Sequence, residues 1–259
     1  MMPKPDDRRY TEALKATIVK WGADLVGIAD TAPLADLPLD PPDLLEPFSR
    51  AVAIAVSLPW ATFGELDGRP TLVYENVYLT ANRMLDDLAF RAARYLAGEG
   101  FYSLPIPASQ MTDGKNWYGA ISHKAVAHMA GLGWQGKNLL LITPQYGSAM
   151  RLVTVLTDAP LVVDGPVKNR CGACTRCQEA CPAGAIKGVA TTDHYRNREE
   201  ALYLDRCLEQ LKRHSVMLET YALKDSATPP EPTYHQLLCG LCIQACPFGG
   251  KQRRTAAKR

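Results

Sequence analysis

The sequence predicts an α/β or α+β layer domain followed by a smaller module organised on cysteines. Three observations carry this. Helical and strand-like patterns alternate over residues 10–160, and the strand-like runs read as buried. All eight cysteines lie between 171 and 246, with none in the first 170 residues. Composition changes near Asp164, beyond which the chain reads as short helices and loops. We divide the chain accordingly into residues 1–163, residues 164–250 and a basic tail at 251–259.

Each element has a local reason. Tyr10 to Trp21 places Leu14, Ile18 and Trp21 at helical spacing. Asp24 to Ala29 and Ala51 to Pro59 are apolar runs of strand length, separated by a Pro-, Asp- and Leu-rich loop at 31–49. Glu75 to Gly98 is the longest helical pattern, with Leu79, Met84, Leu88, Ala92 and Leu96 on one stripe and Gly98 and Gly100 stopping it. Phe101 to Ile106 fits a third strand. Ser122 is a good N-cap for a helix from His123 to Ala130, closed by Gly131 and Gly133. Leu139 to Thr143 and Leu152 to Leu156 are β-like, and the turn Pro144 to Ser148 predicts that they form a hairpin.

Bulk properties narrow the class. The 259 residues are 47% hydrophobic and 22% charged, enough for a sizeable core. A net charge of +2 demands neither nucleic acid nor an anionic membrane. The polar N-terminus has no signal-like apolar core, and no run approaches the roughly 20 apolar residues of a membrane span. A cytoplasmic protein without membrane contact is expected. Cysteines confined to one segment then point to metal rather than to disulfides.

The cysteine spacing is specific. Cys171, Cys174, Cys177 and Cys181-Pro182 form the C-x2-C-x2-C-x3-C-P run of bacterial ferredoxins, whose fourth thiolate ligates the other of two clusters. Cys239, Cys242 and Cys246-Pro247 repeat it incompletely, with Gln236 where another cysteine would stand. Eight thiolates serve two 4Fe–4S clusters. The parsimonious assignment gives Cys171, Cys174, Cys177 and Cys246 to one cluster, and Cys181, Cys207, Cys239 and Cys242 to the other. Zinc, the competing metal, prefers paired C-x2-C knuckles. For Cys207 alone the competing reading is a buried free thiol.

A second distinctive stretch runs from Ser122 to Asn138. Gly131, Gly133 and Gly136 bring backbone close to something, Trp134 offers a flat apolar face, and Lys137 and Asn138 offer donors. It is neither a Walker A loop nor a dinucleotide fingerprint. Packing at a tight helix-to-strand turn and contact with a ligand both fit.

Ala130 to Asn138, Tyr146-Gly-Ser148, Leu156-Thr-Asp158 and the two cysteine groups with Cys207 between them resemble epoxyqueuosine reductase. The resemblance spans most of the chain and is strongest from 118 to 247. It implies a nitroreductase-like cobalamin-binding domain followed by a two-cluster ferredoxin-like domain, as in the related reductive dehalogenases. It also implies a low-potential electron donor such as ferredoxin or flavodoxin, and a small-molecule or corrinoid-protein substrate. The cofactors implied are two 4Fe–4S clusters and cobalamin. Tyr118, Ser122, Gly131, Gly133, Trp134, Gly136, Lys137 and Asn138 are then expected at the corrinoid, near the cluster of Cys207. The family's proton-donating aspartate would stand at position 117, where this chain has Trp117, so Asp113, Tyr118 and His123 become the candidate donors. His128, His194, His214 and His235 show no ligand spacing. The chain ends thirteen residues after Cys246, short of the family's C-terminal extension. With Trp117, this leads to the expectation that tRNA is not a partner. Two readings follow: a cobalamin-dependent reductase, or an electron-transfer partner of another corrinoid or redox protein.

Overall fold

A computed structural model describes residues 7–113, 118–224 and 237–249. The sequence readings at Trp117, the 225–232 loop, His235, Gln236 and the 251–259 tail lie outside the described residues.

The chain opens with α1 (Asp7–Lys20), which buries Leu14 and Ile18 as its spacing predicts. Strands β1 (Leu25–Asp30) and β2 (Arg50–Ser57) pair antiparallel. After the short α2 (Ala61–Gly64) comes α3 (Leu72–Gly98). It starts earlier than the apolar stripe indicates because the Thr71 hydroxyl caps it, accepting from the Tyr74 N–H at 3.1 Å. Strand β3 (Ser103–Ile106) follows, then α4 (His123–Met129), which Ser122 caps as expected.

The predicted hairpin does not form. Leu141–Ile142 (β5) pairs with Trp134–Gln135 (β4) in a separate two-stranded sheet. The next strand, β6 (Met150–Thr157), lies instead in the middle of a four-stranded antiparallel sheet ordered β1-β2-β6-β3. An eight-residue strand buried almost throughout gains more between β2 and β3 than from a two-residue neighbour. The turn survives locally, closed by the Thr143–Gly147 backbone pair.

Both faces of this sheet are covered, which explains the uninterrupted apolar run of β2. Val52, Ile54 and Val56 face a core shared with α1 and α3. The intervening Ala51, Ala53 and Ala55 face a second core, where α4 and the Leu34–Phe48 loop pack. Side chains alternate between faces, so branched residues fill one side while alanines admit close packing on the other.

The cysteine-bearing segment is tied back into these layers. Asp164 accepts from the Ile28 N–H at 2.7 Å and from Lys15 at 2.6 Å. Helices α5 (Arg176–Glu179), α6 (Leu204–Lys224) and α7 (Leu241–Ala245) follow. Leu241 and Ile243 enter the α1–α3 core, and Gln244 donates to the carbonyls of Phe63 and Leu66 at 2.7 and 3.1 Å. Cys239 and Cys242 of the second cysteine group therefore pack on the α1–α3 core.

Candidate metal centre

The loop carrying Cys171 is built before any metal is considered. The Asn169 carboxamide accepts from the Cys171 N–H at 2.9 Å and donates to the carbonyls of Gln135 and Thr191 at 2.9 and 2.8 Å. Cys174 N–H turns back to the Cys171 carbonyl at 3.0 Å, and Cys177 enters α5. Cys246, at the C-terminal end of α7, arrives from the other group. Cys171, Cys174, Cys177 and Cys246 line one small pocket, together with Lys137, Asn138, Ile142, Pro247 and Phe248. Burial, then the neighbouring Cys171, Cys246 and Cys174, push the Cys177 thiol up to about 11. Metal binding here must therefore displace protons.

The remaining thiols form a second set. Cys181, Cys207 and Cys242, together with Cys177 of the first set, pack on Leu139, Ile186, Tyr195, Ala201 and Leu202. Burial pushes Cys239 up to about 11, with Cys207 and Cys181 adding to it. Cys242 is raised further by burial and by Cys239, Cys207, Cys177 and Cys181. All eight cysteines are free of disulfides. Among the described residues, no group of three or more His, Cys, Asp or Glu side chains is arranged to hold a single metal ion. Four thiols spread around a cavity instead suit a bulkier cluster that takes one thiolate at each iron.

The glycine-rich segment is placed differently from the sequence expectation. A Cβ on Gly133 would lie 2.2 Å from the Ile142 carbonyl oxygen, and one on Gly136 would lie 2.3 Å from Ile142 Cδ1. Gly131, at φ +75°, abuts the Gly165 carbonyl. These glycines admit protein, not a broad ligand. Trp134 is fully buried, lies edge-on to Phe248 at 4.8 Å and donates its indole N–H to Cys171 Sγ at 3.4 Å. Lys137 donates to the Cys174 carbonyl at 3.1 Å. Asn138 accepts from the Leu140 N–H at 3.2 Å. As a corrinoid cradle, residues 131–138 do not fit; Lys137 and Asn138 line the Cys171 cavity, and Trp134 packs against Cys171.

The candidate proton donors are also redistributed. His123 accepts at Nδ1 from the Thr154 hydroxyl (2.8 Å) and donates from Nε2 to the Pro107 carbonyl (3.0 Å), the tautomer that a carbonyl acceptor dictates. Burial brings it down to about 4, so it stays neutral with both nitrogens occupied and is not the expected donor. Ser122 is spent on capping α4. Asp113 and Tyr118 pair through their backbones, and the Arg198 guanidinium lies 4.1 Å over the Tyr118 ring.

The sequence reading missed Lys124. Burial and the nearby charges of Arg198 and Arg151 bring its amine down to about 8, while Cys207 opposes them. Its nearness to Cys207 depends on positions 124 and 207 approaching in the fold, which no local spacing reveals. His128 and His194 likewise meet only in the fold, 3.5 and 3.1 Å from the same Asp193 carboxylate oxygen.

Two sets of four free thiols, one of them around a defined cavity, describe a module of the ferredoxin class. Residues 170–250 match the family model for a 4Fe-4S dicluster domain. The chain is similar to epoxyqueuosine reductase of Listeria monocytogenes, at 49% identity over 70 residues, covering 27% of this chain and 18% of that protein. A crystal structure of epoxyqueuosine reductase with an epoxyqueuosine-modified tRNA stem loop superposes with TM-score 0.57 at 23% identity, over 94% of this chain and 66% of that one. A reductive dehalogenase described in terms of B12-dependent dehalogenation gives TM-score 0.66 at 18% identity, over 100% of this chain and 35% of that one. The structural likenesses establish a shared fold, and the sequence matches span well under two thirds of the curated relatives' length. The expectation that tRNA is not a partner is overturned: the relatives are epoxyqueuosine reductases, and one neighbour of that name holds an epoxyqueuosine-modified tRNA stem loop. Among the described residues no helix is long and apolar enough to cross a membrane.

Proposed function

We propose that this chain is an iron–sulfur reductase of the epoxyqueuosine reductase type. Cys171, Cys174, Cys177 and Cys246 hold one 4Fe–4S cluster, and Cys181, Cys207, Cys239 and Cys242 hold the other. The observation that carries this is the cavity ringed by the first four thiols inside a segment matching a dicluster domain. When bound, the clusters supply one-electron chemistry at low potential. The chain's own residues supply burial: Ile142 and Phe248 wall the first site, and Leu139, Ile186 and Leu202 the second.

In this reading residues 1–163 form a nitroreductase-like corrinoid domain, and the corrinoid belongs on the Cys207 side rather than at residues 131–138. Lys124, Arg151 and Arg198 concentrate positive charge there. Such charge suits a ligand bearing phosphate, as a corrinoid tail and an RNA both do. The substrate class that follows is a modified nucleoside in tRNA, and the electron donor is an external low-potential protein. The test is turnover of an epoxyqueuosine-modified tRNA stem loop by anaerobically prepared protein, with cob(II)alamin titrated alongside. Corrinoid binding with turnover supports the proposal. Full clusters with no corrinoid bound at micromolar concentration would overturn it. That result would favour the electron-transfer partner, a reading already helped by the occupied nitrogens of His123.

A further inference from the structure

We propose that Trp134 and Asn138 are positioning residues that donate N–H hydrogen bonds to sulfur at the Cys171 cluster and thereby raise its reduction potential. The inference rests on the reading that Cys171, Cys174, Cys177 and Cys246 hold a cluster.

Three observations carry it. The Trp134 indole N–H already lies 3.4 Å from Cys171 Sγ, with the side chain wholly buried. The Asn138 carboxamide nitrogen is buried with no hydrogen-bond partner among the described residues, although its oxygen is engaged by the Leu140 N–H, and the residue lines the same cavity. Lys137 is 8% exposed and lines that cavity too, its ammonium anchored on the Cys174 carbonyl. A buried N–H without an acceptor is costly to keep. Thiolate and sulfide sulfurs are the acceptors that this cavity's donor set brings with it. Reduction adds one negative charge to a cluster, so fixed N–H dipoles and a nearby ammonium stabilise the reduced form more than the oxidised one.

The geometry also accounts for the glycines. Gly133 and Gly136 let β4 approach β5 closely, and that approach holds Trp134 against Cys171 and Phe248. Trp134, Lys137 and Asn138 thus surround the first thiol set from this segment.

The experiment is redox potentiometry followed by electron paramagnetic resonance on anaerobically purified Trp134→Phe beside wild type, with iron counted in both. The Cys207→Ser variant identifies the signal of the other cluster. The expected result is retained iron and a fall in the potential of the Cys171 cluster alone, of about tenfold in its reduction equilibrium, or 59 mV for a one-electron couple. Retained iron with both potentials unmoved overturns the inference. Wild-type protein without cubane iron overturns instead the cluster reading on which it rests. Should Trp134→Phe lose its iron, the same potentiometry on Asn138→Ala decides. Retained iron with a lowered potential at the Cys171 cluster alone supports the N–H donors, and an unmoved potential overturns them.

Discussion

Gly133→Ala should destabilise the protein through a clash of backbone with backbone. The added Cβ would lie 2.2 Å from the Ile142 carbonyl oxygen, 2.8 Å from the Ile142 carbonyl carbon and 3.2 Å from Thr143 Cα. None of these atoms belongs to a side chain that can rotate away. Gly133 is not among the glycines with positive φ, so the penalty is steric rather than conformational. Relieving it means parting β4 from β5 by roughly 1 Å, at an overpacking cost of about 1–3 kcal/mol. Weakening the Trp134–Ile142 pairing adds about 1 kcal/mol per hydrogen bond lost. For a chain of this size each kcal/mol lowers Tm by about 2–4 °C, so a fall of roughly 5–15 °C is expected. Gly98→Ala is the control: its Cβ meets nothing within 4 Å at the end of α3, and it should leave Tm unchanged or slightly raised. The assay is a thermal melt of anaerobically prepared protein with iron counted before and after. Gly133→Ala melting within 2 °C of wild type would refute the packing argument, because a shift that small is worth at most about 1 kcal/mol. A ligand role for the glycine would then return.

Anaerobically purified protein should carry about eight iron and eight sulfide, the content of two cubanes, and elemental analysis showing stoichiometric zinc instead would contradict the assignment. Cys207→Ser should perturb one cluster's resonance signal and Cys246→Ser the other's; a single variant that disturbs both signals equally would show the thiols to be grouped differently. His123, brought from 6.5 down to about 4, gives a pH signature. Between those values the unfolded chain binds the proton and the folded chain does not, so stability is full above about 6.5 and falls as pH drops towards about 4. Thermal melts of apoprotein across that window should show a steeper loss for wild type than for His123→Gln, and equal slopes would place the titration elsewhere.

Local spacing determined much of this protein. C-x2-C-x2-C-x3-C-P holds three thiols on one short loop and sends the fourth onward, whatever surrounds it. The Ser122 cap and the buried run of β2 depend only on neighbours within a turn or a pleat, and both are legible from residues alone. Tertiary structure decided what each surface meets. The run at 150–157 became a central strand because two longer partners compete with the local hairpin. The glycines at 131, 133 and 136 read equally as ligand contacts or as packing, since both need a missing Cβ. Only the position of Ile142 and Gly165 chose between them. His123 carries a donor's chemistry in sequence and loses it to Thr154 and Pro107 in the fold. Lys124 gains its setting from Cys207, Arg151 and Arg198, which lie far along the chain. Chain connectivity fixes short-range geometry, whereas the environment of a side chain is fixed by whichever distant surface buries it.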